Sequence, residues 1–302
     1  MKTLVLDKSS LWAAPLEFLR ELRKSYNFLL TTTLLAELGT EDIVERVSIT
    51  DEARQSLDKR IEARFDKAIK AAGNEWLDHI EAMKWEVTEG RSARLAPRVQ
   101  IRGALEIPKL LDGKTVQNCL AFDSAKASFA SFAAPVGSES DNQELADFRK
   151  IPEEDFFCRL AHGLGPVKSP AEIRKTALEL AQKGEKRHGW KKSPCFFPCR
   201  DWFIYGIALA HMAYLPWKLW KHGNEVPRKA ANAAYDLYYI GFMAIADGLL
   251  SSDKNMLKLA WAVWPDKRQN ICEYEDKKIR VYVPTWATPS GVVKPEEPLP
   301  FL

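Results

Sequence analysis

Apolar positions along the chain fall into two kinds of run. The first is short and continuous: Leu4-Val5-Leu6 ends in Asp7, and Gly248-Leu249-Leu250-Ser251 is followed closely by Asp253. Runs of this length without polar alternation predict strands buried on both faces of a parallel sheet. Asn27 to Thr31 predicts another strand, joined to the first through a helix that Ser9 or Ser10 can cap. Leu11, Leu16, Leu19 and Leu22 supply that helix's apolar face up to about Lys24, so the three elements form a βαβ unit with its right-handed preference. Thr31-Thr32-Thr33 opens a further helix, in which Leu34, Leu35 and Leu38 surround Glu37.

The second kind of run recurs in steps of three and four. From about Asp51 to Trp85, Leu57, Ile61, Phe65, Ile69, Ala72, Trp76, Ile80 and Met83 predict one long amphipathic helix, or two in line with Gly73 as a bend. Val99-Gln100-Ile101 suits a short strand, and Leu120 to Phe148, rich in Ala and Ser, reads as loop. Ile151 to Lys183 returns to helix, with Ser169-Pro170 as a start signal. Asp201 to Lys221 reads as an apolar helix pair turned at Pro216. Pro227 starts the helix that carries Asp236, a further helix begins at Asn255, and Lys278 to Val283 alternates as a last strand before a proline-rich tail.

Composition narrows the picture. Hydrophobic residues at 46% and charged residues at 28% are those of a folded globular protein, and 302 residues allow one elaborated domain or two. No run of about eighteen apolar residues occurs, and Met1-Lys2 leads into a strand rather than a signal-peptide core. No membrane partner and a cytoplasmic location are therefore expected. Five cysteines, with only Cys195 and Cys199 near each other, make no disulfide framework and read as reduced thiols. His188 with Cys195 and Cys199 lacks both the spacing and the fourth ligand of a zinc site. The net charge of +3 selects no class of partner. Locally, Lys186, Arg187, Lys191 and Lys192 surround Trp190, a basic stretch with an aromatic that can stack on a nucleic-acid base. The same stretch reads equally well as a solvated loop between helices.

The acids carry the chemistry. Asp7 and Asp253 each follow a short apolar strand, while Glu37 and Asp236 sit on helices. Carboxylates placed at strand ends and helix faces are positioned to converge on one ion. Crowded carboxylates repel one another and raise each other's pKa, so such a cluster suggests a divalent cation with hard oxygen ligands, Mg2+ or Mn2+. Those ions supply an activated water and neutralise the charge on an attacked phosphate. Asp247 is a further candidate ligand, since it falls almost whole turns beyond Asp236 if that helix persists; otherwise Asp247-Gly248 simply ends the helix. Ser9 and Ser251 or Ser252 can hydrogen-bond the ligands from behind, or equally well cap helices.

Taken in order, strand-Asp-x-Ser from Leu4 to Ser9, strand-Thr-helix-Glu from Asn27 to Glu37, the helical Asp236 followed by Tyr239-Ile240, and strand-Ser-x-Asp from Leu249 to Asp253 resemble the PIN-like nucleases. The resemblance implies an α/β fold, three layers α/β/α with a mainly parallel central sheet, elaborated by a large helical insertion. Residues 1–50 and 228–284 would form the PIN-like core, 51–227 the mainly helical insertion and 285–302 the tail. It further implies a metal-dependent nuclease that hydrolyses phosphodiester bonds, in RNA rather than DNA, with Asp7, Glu37, Asp236 and Asp253 as catalytic metal ligands. A protein partner could use the inserted helices. Two other readings stand beside this one. A non-catalytic PIN-like module would bind RNA or protein. A haloacid-dehalogenase-like phosphatase would need an acid where Ser9 stands.

Overall fold

The computed structural model describes residues 1–35, 37–38, 51–100, 146–163, 169–222 and 230–287. Ile101, most of the segment from Leu120 to Phe148, Pro227 and the tail from residue 288 onward lie outside them. The described chain is an α/β protein with a seven-stranded mixed sheet.

The predicted apolar runs form its centre. Strand β1 (Lys2–Leu6) pairs in parallel with β2 (Tyr26–Thr31) on one side and with β5 (Gly248–Ser251) on the other. Leu4, Leu6, Leu249 and Leu250 are fully buried, which is why these strands carry no polar alternation. Outward from β2 come β3 (Glu75–Leu77), parallel, and β4 (Val99–Gln100), antiparallel. Outward from β5 come β6 (Ile271–Glu275), parallel, and β7 (Lys278–Val281), antiparallel. The order is β4-β3-β2-β1-β5-β6-β7. From β1 the chain proceeds to one side through β2 and β3, and later resumes on the other side at β5. In open α/β sheets such a reversal of direction opens a crevice at the carboxyl ends of the two central strands.

Helices α1 (Lys8–Ala13) and α2 (Leu16–Leu22) connect β1 to β2, and residues 32–35 and 37–38 are helical beyond β2. The periodic stretch from Asp51 to Trp85 is not one continuous helix. Helix α3 (Asp51–Ala72) stops at Gly73, whose φ of +104° is closed to other residues. Trp76 and Leu77 then enter the sheet fully buried as β3. Asp78 restarts the chain as α4 (His79–Glu89) by accepting a bond from the Glu81 backbone N–H. Burial of Trp76 suits a helix face and a central strand equally, so the three-and-four spacing could not separate them. The sheet thus takes β3 and β4 from the stretch read as mainly helical.

The later helices are α5 (Glu153–Gly163), α6 (Pro170–His188), α7 (Phe203–His222), α8 (Ala230–Phe242) and α9 (Lys254–Val263). Contrary to expectation, α7 runs as a single helix through Pro216. The bond lost at the proline is outweighed by packing on both sides, including Tyr214 against Trp217 and Trp220 stacked on Phe156 at 4.7 Å. Its first turn is held by Glu86 of α4. That buried carboxylate accepts the backbone N–H groups of Phe203 (2.7 Å), Ile204 (2.8 Å) and Ala93 (2.8 Å). Burial pushes the Glu86 carboxyl up to about 8, and the three bonds oppose the shift. Helices α7 and α8 cross backbone to backbone, because a Cβ on Gly206 would stand 2.3 Å from the carbonyl oxygen of Gly241. Among the described residues no helix is long and apolar enough to cross a membrane.

Candidate functional site

Asp7 ends β1, is 1% exposed and caps α1. Its Oδ1 accepts the Ser10 backbone N–H at 2.9 Å, and its Oδ2 accepts the Ser9 and Ser251 hydroxyls at 2.8 and 2.7 Å. Burial raises its pKa, and these bonds pull against the rise. The two serines tie β1 to the segment after β5: Ser9 Oγ accepts the Ser252 N–H (2.8 Å), and Ser251 Oγ accepts the Asp253 N–H (2.9 Å). Asp253 caps α9, with Oδ1 accepting from Asn255 (2.8 Å) and Met256 (3.3 Å). Ser9 and Ser251 thus hydrogen-bond the Asp7 carboxylate, Ser251 also takes the Asp253 backbone N–H, and the Ser252 hydroxyl donates to the Tyr274 carbonyl.

The helical acids join them. The Tyr239 hydroxyl donates to Glu37 Oε2 at 2.7 Å, and Lys8 Nζ lies 4.0 Å from Glu37 Oε1. Tyr239 is fully buried. Its phenol is held well above the ordinary range by burial and then by the charges of Glu37 and Asp7. Asp236 stands one helical turn before Tyr239 on α8, so the two share a face. Its carboxyl is raised well above the usual range, first by burial and then by Asp253, Glu37 and Asp7, with Lys221 opposing. Asp236 in turn adds to the burial that raises Tyr214. Acids from distant parts of the sequence thus act on Asp236 at the carboxyl ends of β1 and β5. As they stand, no three His, Cys, Asp or Glu side chains among the described residues are close enough to hold one metal ion.

Sequence reasoning missed the cationic and phenolic members of this group. Lys8 directly follows Asp7, and a lysine beside an acid on a surface helix carries no signal of its own. Tyr239 is one of the residues that carry the PIN-like pattern, and its hydrogen bond to Glu37 depends on a contact across most of the chain.

One of the two readings of Asp247 fails here. Asp247 does not share a face with Asp236, because α8 ends at Phe242 and the chain turns before β5. Asp247 lies at the amino ends of the strands, its Oδ2 accepting the Thr3 backbone N–H at 2.7 Å, and the length of β5 separates it from Asp253 by about 13 Å. There it lines a separate cavity of about 750 Å³ together with Lys2, Tyr26, Arg94 and Lys267. The basic run also lies away from the acids. Lys186 and Arg187 occupy the last turn of α6 and Lys191 and Lys192 are exposed beyond it, while the adjoining Ser193 N–H bonds the Val87 carbonyl near the end of α4 (2.8 Å). Helix α4 starts at the carboxyl end of β3, so its last turn lies toward the amino ends of the strands. Trp190, just beyond α6, packs back onto Gly184 of that helix and stacks on His188 at 5.2 Å. Comparison with protein-family models, with curated proteins and with solved structures gives no match to this chain.

Proposed function

We propose that the chain is a metal-dependent nuclease of the PIN-like kind, hydrolysing phosphodiester bonds in RNA, with a three-layer core and added helices α5 to α7. The observation that carries the reading is the placement of the acids where the direction of the sheet reverses: Ser251 links the Asp7 carboxylate to the Asp253 backbone, and Tyr239, on the Asp236 face of α8, bonds Glu37. A partly buried carboxylate under the influence of three others is costly unless protonated or paired with a cation.

Four carboxylates are the donor chemistry of a hard divalent ion, Mg2+ or Mn2+, and Asp7, Glu37, Asp236 and Asp253 would hold it by drawing closer together than they stand. When bound, such an ion supplies an activated water and neutralises charge on the phosphate. The chain's own residues contribute orientation. Ser9, Ser10 and Ser251 fix the Asp7 carboxylate while using only part of its acceptor capacity. Tyr239 fixes Glu37 through one oxygen, and both backbone bonds to Asp253 fall on Oδ1. Lys8 supplies a cation at the rim that can meet a phosphate.

The test is cleavage of labelled single-stranded RNA and DNA by purified protein with Mn2+, Mg2+ or EDTA, beside Asp7→Asn and Asp253→Asn. Metal-dependent cutting of RNA that both variants lose is the expected result. Protein that stays folded yet neither cuts nor binds either ion would replace the proposal with a non-catalytic binding module.

A further inference from the structure

A cationic and aromatic strip leads away from the acid cluster on the side of α1 and α3. Lys8, 4.0 Å from Glu37, opens α1, and Trp12 lies one turn further along the same helix face. Trp12 is 43% exposed, unusual for so large a side chain. The Arg64 guanidinium lies 4.7 Å from the centre of its ring, and Arg64 Nη1 is within 3.5 Å of the carbonyl oxygen of Leu38, the neighbour of Glu37. Lys67 Nζ is within 3.5 Å of the Trp12 carbonyl oxygen. Arg60, exposed, stands one turn before Arg64 on α3. Glu17 is the acidic neighbour of Lys67.

We infer that Lys8, Trp12, Arg64 and Lys67 form a track for a single-stranded nucleic acid whose scissile phosphate lies at the acid cluster, an inference that rests on the proposed nuclease reading. The Trp12 ring takes the face of one unstacked base, and the three cations take backbone phosphates on either side of it. Duplex bases keep their faces stacked and cannot use the tryptophan, so the strip selects single strands. The basic run around Trp190 lacks both features that matter here: it lies away from the acids, and its aromatic ring packs onto Gly184 of α6.

The experiment is fluorescence anisotropy of a short labelled single strand in EDTA over a series of salt concentrations, with an unlabelled duplex as competitor and thermal unfolding of each variant as a folding control. Trp12→Ala is expected to weaken binding about 5- to 150-fold, with Trp12→Phe close to wild type. Arg64→Ala is expected to reduce the slope of log K against log salt by about 0.7. The double variant Lys191→Glu, Lys192→Glu is expected to bind like wild type. Should Trp12→Ala fail to fold, the Arg64 salt slope decides alone. Equal binding by wild type, Trp12→Ala and Arg64→Ala would overturn the track while leaving the nuclease reading standing, as would an equal loss from the Lys191 and Lys192 reversals. Wild-type protein that neither binds nor cuts a single strand would remove both.

Discussion

The two ends of the parallel sheet carry the same kinds of charged residue and use them differently. At the amino ends, Asp247 bonds the Thr3 N–H, and Lys267 donates to the carbonyl oxygens of Met243, Ala244 and Ala246 just beyond α8. Burial lowers Lys267 to about 8. Both charges are matched to backbone groups and close a helix or a strand. Nearby, Glu86 is matched in the same way to three N–H groups. At the carboxyl ends the acids lie near one another, and Asp236 is raised first by burial and then by three like charges. A charged group satisfied by backbone is part of the scaffold. One held against its own kind needs something else to complete it.

The sharpest way to break that comparison is Asp236→Asn. If Asp236 serves the scaffold, the amide destabilises the fold; if it belongs to a cation site, the amide removes repulsion. We expect a Tm in EDTA raised by roughly 2–4 °C, the shift that about 1 kcal/mol gives a chain of a few hundred residues. Cleavage should fall by on the order of 10²-fold or more, since several kcal/mol of charge stabilisation go with the ion. Adding Mn2+ should raise the Tm of wild type and leave the variant nearly unchanged. A lower Tm with unaltered cleavage would place Asp236 with Asp247.

The contrast also explains what could be read ahead of the structure. The central strands and their terminal acids were legible because continuous burial and a closing carboxylate leave marks in adjacent residues. Strand β3 was hidden by length: three residues give too little pattern to override the helical spacing on both sides. Strand β6, Ile-Cys-Glu-Tyr-Glu, went unread beside β7, and their connection at Asp276 and Lys277 uses two positive φ angles without the usual glycine or asparagine pair. The reading of Asp247 as a ligand required α8 to persist past Phe242, where it ends. Glu86, Lys8 and Tyr239 depend on partners far away in sequence, which no local pattern reports.

Glu86→Ala sharpens the scaffold side. Removing the carboxylate leaves three N–H groups of the α4–α7 junction without their acceptor, and each such group costs about 1–3 kcal/mol when buried. A loss of roughly 3–5 kcal/mol in denaturant unfolding is expected, with any surviving folded protein retaining metal-dependent cleavage. Wild type should also report this residue through pH. The folded chain holds a proton that the unfolded chain has released between about 4.5 and 8, so the Glu86 contribution falls across that window and levels off above it. Glu86→Ala should lack that part of the slope.

The smallest effect is expected from Asp247→Ala, and it tests the opposite corner of the comparison. The substitution removes one acceptor, from the Thr3 N–H at the start of β1. Asp247 keeps some exposure and lines the polar cavity of about 750 Å³, so water can reach the N–H that loses its partner. That limits the cost to about 1 kcal/mol or less. The Thr3 carbonyl keeps its bond from the Asp247 backbone N–H at 2.7 Å, so the register between β1 and β5 survives. Cleavage, metal-induced stabilisation and single-strand binding should all match wild type within error. A loss of metal response in Asp247→Ala would mean that the two ends of the sheet are coupled, and the division between scaffold charge and site charge would have to be redrawn around β5.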